Sequence, residues 1–276
     1  MTTTTIAEPG ISTAARPERT SLRQAVADAM TVCWRNLVAM RRTPQTLVFS
    51  TIQPIVFVIM FRYVFGGAIH GTGATNYVDY LMPGVFAQTV VFGSIQTGVA
   101  LAEDLHTGLI ERFRSLPMAR SAVLAGRTLA DLVRNVFVII LMVIIGFIVG
   151  WRIHTDVMRM IGGLAVMLLF AHALTWLFAI VGLKSPNAEA AQAAAFPIMA
   201  PLVFASTAFV SASTMPGPLK WFAEHQPVSI VIDAVRSLTY GGPFADPGKV
   251  LAAILWSVAI IAVTAPIAVR VYRRKT

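Results

Sequence analysis

The sequence predicts an all-α integral membrane protein. It expects six transmembrane helices, an N-terminal amphipathic helix in the membrane interface, a charged cytoplasmic helix and short re-entrant helices outside. Three observations carry this. Hydrophobic residues make up 56% of the 276 and charged residues 13%, about half the charged share of a soluble domain. Mean hydropathy is +0.71, and apolar runs near the roughly 20 residues of a membrane-spanning helix recur along the chain. The 22 Lys and Arg residues, which give a net charge of +9, cluster beside those runs, as in cytoplasmic membrane flanks. That clustering favours a membrane over nucleic acid as the partner of the positive charge. The single cysteine, Cys33, excludes an intrachain disulfide and leaves the compartment open; a buried thiol is its simplest role.

Residues 1–20, rich in Thr with Pro9, Gly10 and Pro17, lack the apolar core of a signal peptide and read as a disordered cytoplasmic tail. Over 21–42, Leu22, Val26, Ala29 or Met30, Cys33, Leu37 and Met40 recur at helical steps, with Gln24, Asp28, Thr31, Arg35 and Arg42 opposite. That pattern suits a helix lying in the interface plane; a soluble helix packed on a partner is the alternative. Thr43-Pro44 ends it.

The first span covers about 45–65, with Arg62 near its outer end, placed to snorkel to headgroups. A Gly- and Asn-containing outer loop follows, then a second span at about 80–102 and a charged loop from Glu103. The third apolar stretch, about 122–150, exceeds the hydrocarbon thickness, so its first turns project into the cytoplasm. In it Asp131 and Arg134 can pair at i,i+3. The fourth and fifth spans cover about 158–183 and 188–211, joined by a Lys184-Ser185-Pro186-Asn187 turn. Small residues and Pro197 and Pro201 in the fifth predict close packing and a kink. Within the Pro-rich stretch 212–249, residues 228–238 are apolar but too short to span, hence interfacial or re-entrant. The sixth span, about 250–269, leads to a basic tail, 271–276. Fifteen Lys and Arg fall on the N-terminal side of the membrane and six on the other, with Arg134 within a span. That excess puts both termini in the cytoplasm.

No enzyme constellation is present. The five histidines form no HExxH pair, there is no GxSxG elbow, and Gly248-Lys249 lacks the rest of a phosphate loop. No catalytic, metal or cofactor residues are expected. If ATP drives this chain, ATP and Mg²⁺ bind another polypeptide. His172, mid-span, reads either as a proton relay or as a neutral imidazole bonded to a neighbouring helix. Asp131 with Arg134 reads as a structural pair rather than a gate, and Glu189 with Gln192 as an entry vestibule or a helix cap. No internal repeat stands out.

The charged stretch is different. Glu103, Asp104, Glu111, Arg112, Arg114, Arg120 and Arg127 surround an apolar ridge of Leu109, Ile110, Phe113 and Leu116, with Gly108 as a swivel and Pro117 as a break. Membrane orientation requires only the arginines; charges of both signs around a ridge suit a protein partner's groove.

Gly108-Leu109-Ile110-Glu111-Arg112-Phe113-Arg114-Ser115-Leu116-Pro117-Met118 resembles the signature of the ABC-2 family of transporter permeases. Arg120-Ser121-Ala122-Val123-Leu124-Ala125-Gly126-Arg127 looks like its daunorubicin-resistance branch. Phe222-Ala223-Glu224-His225-Gln226-Pro227-Val228, with Arg236-Ser237-Leu238, is a second match. The resemblance implies a dimer of six-span subunits, with itself or with a sister permease, on two cytoplasmic ATP-binding subunits in a bacterial plasma membrane. It makes residues 103–117 the coupling helix, with Glu103, Asp104, Gly108, Leu109, Glu111, Arg112, Phe113, Arg114, Leu116 and Pro117 against the ATPase. Residues 21–42 become the connecting helix, presenting Trp34, Arg35, Arg41 and Arg42. Residues 212–249 become short helices at the outer exit, with Trp221, Glu224, Gln226, Pro227 and Arg236 as an external gate region. The implied function is export of amphipathic drugs, anthracycline-type antibiotics among them, or of lipids. An ion-coupled secondary transporter and a membrane scaffold for an ATPase are the rivals.

Overall fold

The computed structural model describes residues 22–42, 44–67, 73–108 and 120–275. The expected tail 1–20 and the coupling residues Leu109, Glu111, Arg112, Phe113, Arg114, Leu116 and Pro117 lie outside the described residues. In chain order the described helices are α1 (Leu22–Arg42), α2 (Pro44–Met60, ending in a π turn, Phe61–Phe65), α3 (Tyr77–His106) and α4 (Arg120–Val149). There follow α5 (Val157–Lys184), α6 (Ala188–Phe204), α7 (Gly217–His225), α8 (Pro227–Thr239) and α9 (Pro247–Lys275). Four of these are long and apolar enough to cross a membrane: α3, α4 over Ala122–Val149, α5 and α9. Shorter apolar helical stretches cover Thr51–Phe65 and Ala188–Phe204.

Helix α5 lies at the centre of the bundle, packed on α3, α4, α8 and α9, while α3 also holds α2 and α6. Lipid is as apolar as Leu, so helices associate in a membrane through close packing of small residues. Glycines supply it here. A Cβ on Gly182 would collide with the carbonyl oxygen of Gly98, and one on Gly98 with that of Phe178, so α3 and α5 cross backbone to backbone. One on Gly126 would strike Ala29 and Val32, which seats α1 on α4. At the end of the bundle that carries the basic tail, Leu101, Leu124, Leu183 and Tyr272 join α3, α4, α5 and α9 in a separate apolar cluster.

Several local expectations are sharpened. Helix α3 begins at Tyr77, where the Asn76 side chain accepts from the Val78 amide at 3.4 Å. It continues past residue 102, so Glu103 and Asp104 occupy its last turn, not a loop. The helix stops where Thr107 bonds back to the Glu103 carbonyl and Gly108 takes φ +69°, a left-handed conformation that glycine adopts without strain. In place of the expected fifth span to residue 211, α6 leaves the helix at Ala205, where Gln226 Nε2 donates to the carbonyls of Leu202 at 3.1 Å and Ala205 at 2.9 Å. Arg62 is half-buried and does not run free to headgroups: its Nη1 donates to Asn76 Oδ1 at 3.3 Å. The short apolar stretch 228–238, expected to be interfacial or re-entrant, is packed inside the bundle. As α8 it inserts between α3, α5 and α9 with Val228, Val231, Ile232, Ala234 and Val235 buried.

Helix α1 packs on α4 through Val32 and Cys33, whereas Val26, Met30 and Trp34 are 62%, 54% and 70% exposed. One turn apart, these three form an apolar edge directed away from the bundle, the arrangement an interfacial helix needs.

Candidate coupling and outer-end sites

At the basic end, α1, α3 and α4 are tied by charge as well as by packing. Arg127 of α4 pairs with Asp104 in the last turn of α3. One turn deeper, Thr97 Oγ1 donates to Asp131 Oδ2 at 2.6 Å, Arg134 Nη2 lies 3.6 Å from Asp131 Oδ1, and the same nitrogen donates to the Gly93 carbonyl at 2.6 Å. The expected Asp131–Arg134 pair therefore exists. Both side chains are largely buried, and a charge withdrawn from water needs such partners. On α1, Trp34, Arg35, Arg41 and Arg42 are exposed, and so is Glu103 on α3. The structure thus places Glu103, Asp104 and Gly108 at the mouth of the 109–119 connection, and α1 reaches the same end through its seat on α4. Cys33 lies at that seat. Burial, reinforced by the negative charge of Asp131, pushes its thiol pKa up.

His172 takes a different partner from the neighbouring helix expected. Its Nε2 accepts from Trp176 Nε1 at 3.1 Å, one turn along α5. Asn187, with its side chain accepting from the Ala190 amide at 2.8 Å, caps α6; Glu189 and Gln192 are exposed on its first turns.

The opposite end is organised by Arg236. This α8 residue is 1% exposed, although arginine is almost never fully buried unpaired. Its Nε and Nη2 donate to the Tyr80 carbonyl at 3.1 and 3.0 Å, and Nη2 donates to the Thr207 carbonyl at 2.7 Å. Nη1 donates to Asp233 Oδ1 at 3.1 Å, and the guanidinium lies 3.5 Å from the Tyr80 ring centroid. One planar cation therefore joins the start of α3, the segment after α6 and α8. Gln226 adds the cap on α6, and Pro227 occupies the first turn of α8, where its missing N–H costs nothing. On α7, the exposed Trp221 stacks on His225 at 5.0 Å, and the half-buried Glu224 lies 3.9 Å from Lys220. These expected residues come together at one end, beside a cavity of about 800 Å³ that Glu224 and Arg236 help to line.

Sequence reasoning missed Asp79. It is 3% exposed at the start of α3, accepts from the Arg152 amide at 2.8 Å and contacts His154 Nε2 at 2.9 Å. The His154 ring packs against that of Tyr240 at 4.4 Å, tilted by 50°, and the Tyr240 hydroxyl accepts from the Thr75 amide at 2.9 Å. The signal was an acidic residue at the edge of an apolar run; its partners lie far away in sequence.

Charged and polar assemblies thus lie at both ends of a bundle of apolar helices, and comparison with known proteins gives the family. Residues 28–240 match the ABC-2 type transporter family. The chain belongs to the ABC-2 transporter family. Among ABC-2 relatives, the daunorubicin resistance ABC transporter permease protein DrrB1 of Streptomyces coeruleorubidus is 34% identical over 94% of this chain and 90% of its own. The probable doxorubicin resistance ABC transporter permease protein DrrC of Mycobacterium tuberculosis is 25% identical over 99% of both chains. A putative transport permease, ycf38 of Cyanophora paradoxa, is 23% identical over 74% of this chain and 71% of its own. As an ABC-2 permease with four long apolar helices, the chain is a multi-pass membrane protein.

Proposed function

We propose that this chain is the membrane subunit of an ATP-driven exporter that moves hydrophobic or amphipathic drugs, of the anthracycline type, or lipids outward across a bacterial plasma membrane. The near full-length likeness to daunorubicin- and doxorubicin-resistance permeases is the observation that carries the substrate class. In this reading α2 with its π turn and α6 complete six crossings, both termini are cytoplasmic, and the chain pairs with a second permease, identical or sister. Two copies of a cytoplasmic ATP-binding subunit dock on the basic end and carry ATP and Mg²⁺.

The Asp104–Arg127 pair and the α1–α4 seat at Gly126 support a mechanical role for that end. A push on residues 109–117, together with the exposed Arg41 and Arg42, would pass into α3 and α4 as one body. The Arg236 hub would resist at the far end, so that helix tilt opens or closes the outer cavity. No proton need move: Asp131 is held by Thr97 and Arg134, and His172 is bonded within its own helix.

The test is doxorubicin uptake into inverted vesicles containing this permease and its ATP-binding subunit. Uptake should require ATP and persist with a proton ionophore present. Uptake abolished by the ionophore at constant ATP would replace this reading with ion-coupled transport.

A further inference from the structure

Exposed apolar side chains are expected along a span, where lipid covers them. Helix α7, nine residues long, is too short to span. Yet Leu219, Trp221 and Phe222 are 40%, 64% and 37% exposed on it. At 100° per residue these three share one side of the helix, while Lys220 and Glu224, one turn apart, take the other and lie 3.9 Å from each other. Ala223 is fully buried, and α7 packs on α8 and on the turn Ala212–Thr214.

Depth, side-chain type and area together identify what covers the apolar side. Glu224 and His225 of α7 line the cavity of about 800 Å³ together with Tyr80 and Lys249. Those two stand in the first turns of α3 and α9, both long enough to cross a membrane. Helix α7 is therefore level with the ends of two spans. Tryptophan is enriched at that depth, its ring seated between headgroups and acyl chains. A protein partner fits poorly. An aromatic side chain buries about 150–250 Å² when wholly covered, so three partly exposed side chains offer on the order of 300 Å². A stable protein interface takes roughly 800 Å² from each partner.

We propose that α7 lies in the plane of the membrane leaflet opposite the basic tail, with Leu219, Trp221 and Phe222 directed into the acyl boundary. The opposite side, with Lys220 and Glu224, stays among headgroups and water. Because Glu224 and His225 line the cavity, α7 forms a wall between that cavity and the lipid. The proposal concerns where α7 sits, and its test needs neither ATP nor a drug, so it stands or falls apart from export.

The full-length chain carrying Cys33→Ser is given Phe222→Cys or Lys220→Cys, labelled with a nitroxide and placed in phosphatidylcholine nanodiscs. Collision with oxygen, which concentrates in lipid, is compared with collision with a water-soluble nickel chelate. The label at 222 should favour oxygen and report a depth of about 5–10 Å, as for an interfacial helix, and the label at 220 should favour nickel. Equal nickel access at the two positions would put α7 in water, and a label at 222 shielded from both probes would put it against protein; either result overturns the proposal. A second measurement keeps Cys33 and adds no label. Chain-brominated phosphatidylcholine quenches tryptophan by contact, and the emission it quenches should fall in Trp221→Phe. Unchanged quenching in that variant would likewise overturn the lipid contact.

Discussion

Replacing Arg236 with Met keeps the volume and apolar stem of the side chain and removes its five donors. The carbonyls of Tyr80, Thr207 and Ala208 and the Asp233 carboxylate then lose the guanidinium. Thr207 O keeps the Tyr80 hydroxyl at 3.0 Å, and Asp233 keeps Thr207 Oγ1 at 3.1 Å, so part of the network survives. The Asp233 side chain is 28% exposed, and water compensates it further. What remains is loss of a bidentate bond to the Tyr80 carbonyl, of the short bond to Thr207 and of the ring contact. Together these place Arg236→Met at about 3–5 kcal/mol, the range for breaking a buried charged network. Arg236→Lys should fall between, since an ammonium cannot serve two carbonyls in one plane. Asp233→Asn should cost about 1 kcal/mol or less at its exposure. The assay is the fraction of monodisperse protein left after graded heating in detergent. Wild-type thermal survival in Arg236→Met, or equal losses in Arg236→Met and Asp233→Asn, would refute Arg236 as the hub.

Other outcomes follow from the same packing. Gly182→Val should abolish recovery of folded protein, because its side chain meets the Gly98 backbone, whereas Gly217→Ala, with open space around it, should behave as wild type; detergent-extracted yield separates them. Gly126→Val should separate α1 from α4 and raise the reactivity of Cys33, read by maleimide labelling. In the intact chain Cys33, 4% exposed with its pKa raised by burial, should label slowly at neutral pH. Labelling should quicken only as pH rises beyond the usual thiol range, because the thiolate is the reactive form.

The helices were largely legible because a lipid-facing span needs length and hydropathy, and α3, α4, α5 and α9 show both. Their ends were less so. Glu103 and Asp104 look like loop residues in sequence, yet only Thr107 and Gly108 provide a stop, so the helix carries them. The buried character of α8 was half legible: its length excluded a span, but its burial depends on α3, α5 and α9 closing around it. Arg236 was singled out through resemblance, while its role rests on carbonyls from the start of α3 and the segment after α6, partners that no local pattern announces. The pairing of Asp79 with His154 was hidden for the same reason. At the basic end Arg127, Asp131 and Arg134 recur at helical spacing on α4, so pairing within α4 could be anticipated, but not the pairing of Arg127 with Asp104 across to α3.

Arg112, in the connection between α3 and α4, tests most directly whether ATP drives this permease through that end. ATP hydrolysis and doxorubicin uptake are measured together in proteoliposomes holding the permease and its ATP-binding subunit, with Arg112→Glu beside wild type. Uptake per ATP hydrolysed should collapse in Arg112→Glu while membrane insertion and hydrolysis persist. Wild-type uptake per ATP in that variant would contradict the coupling assignment.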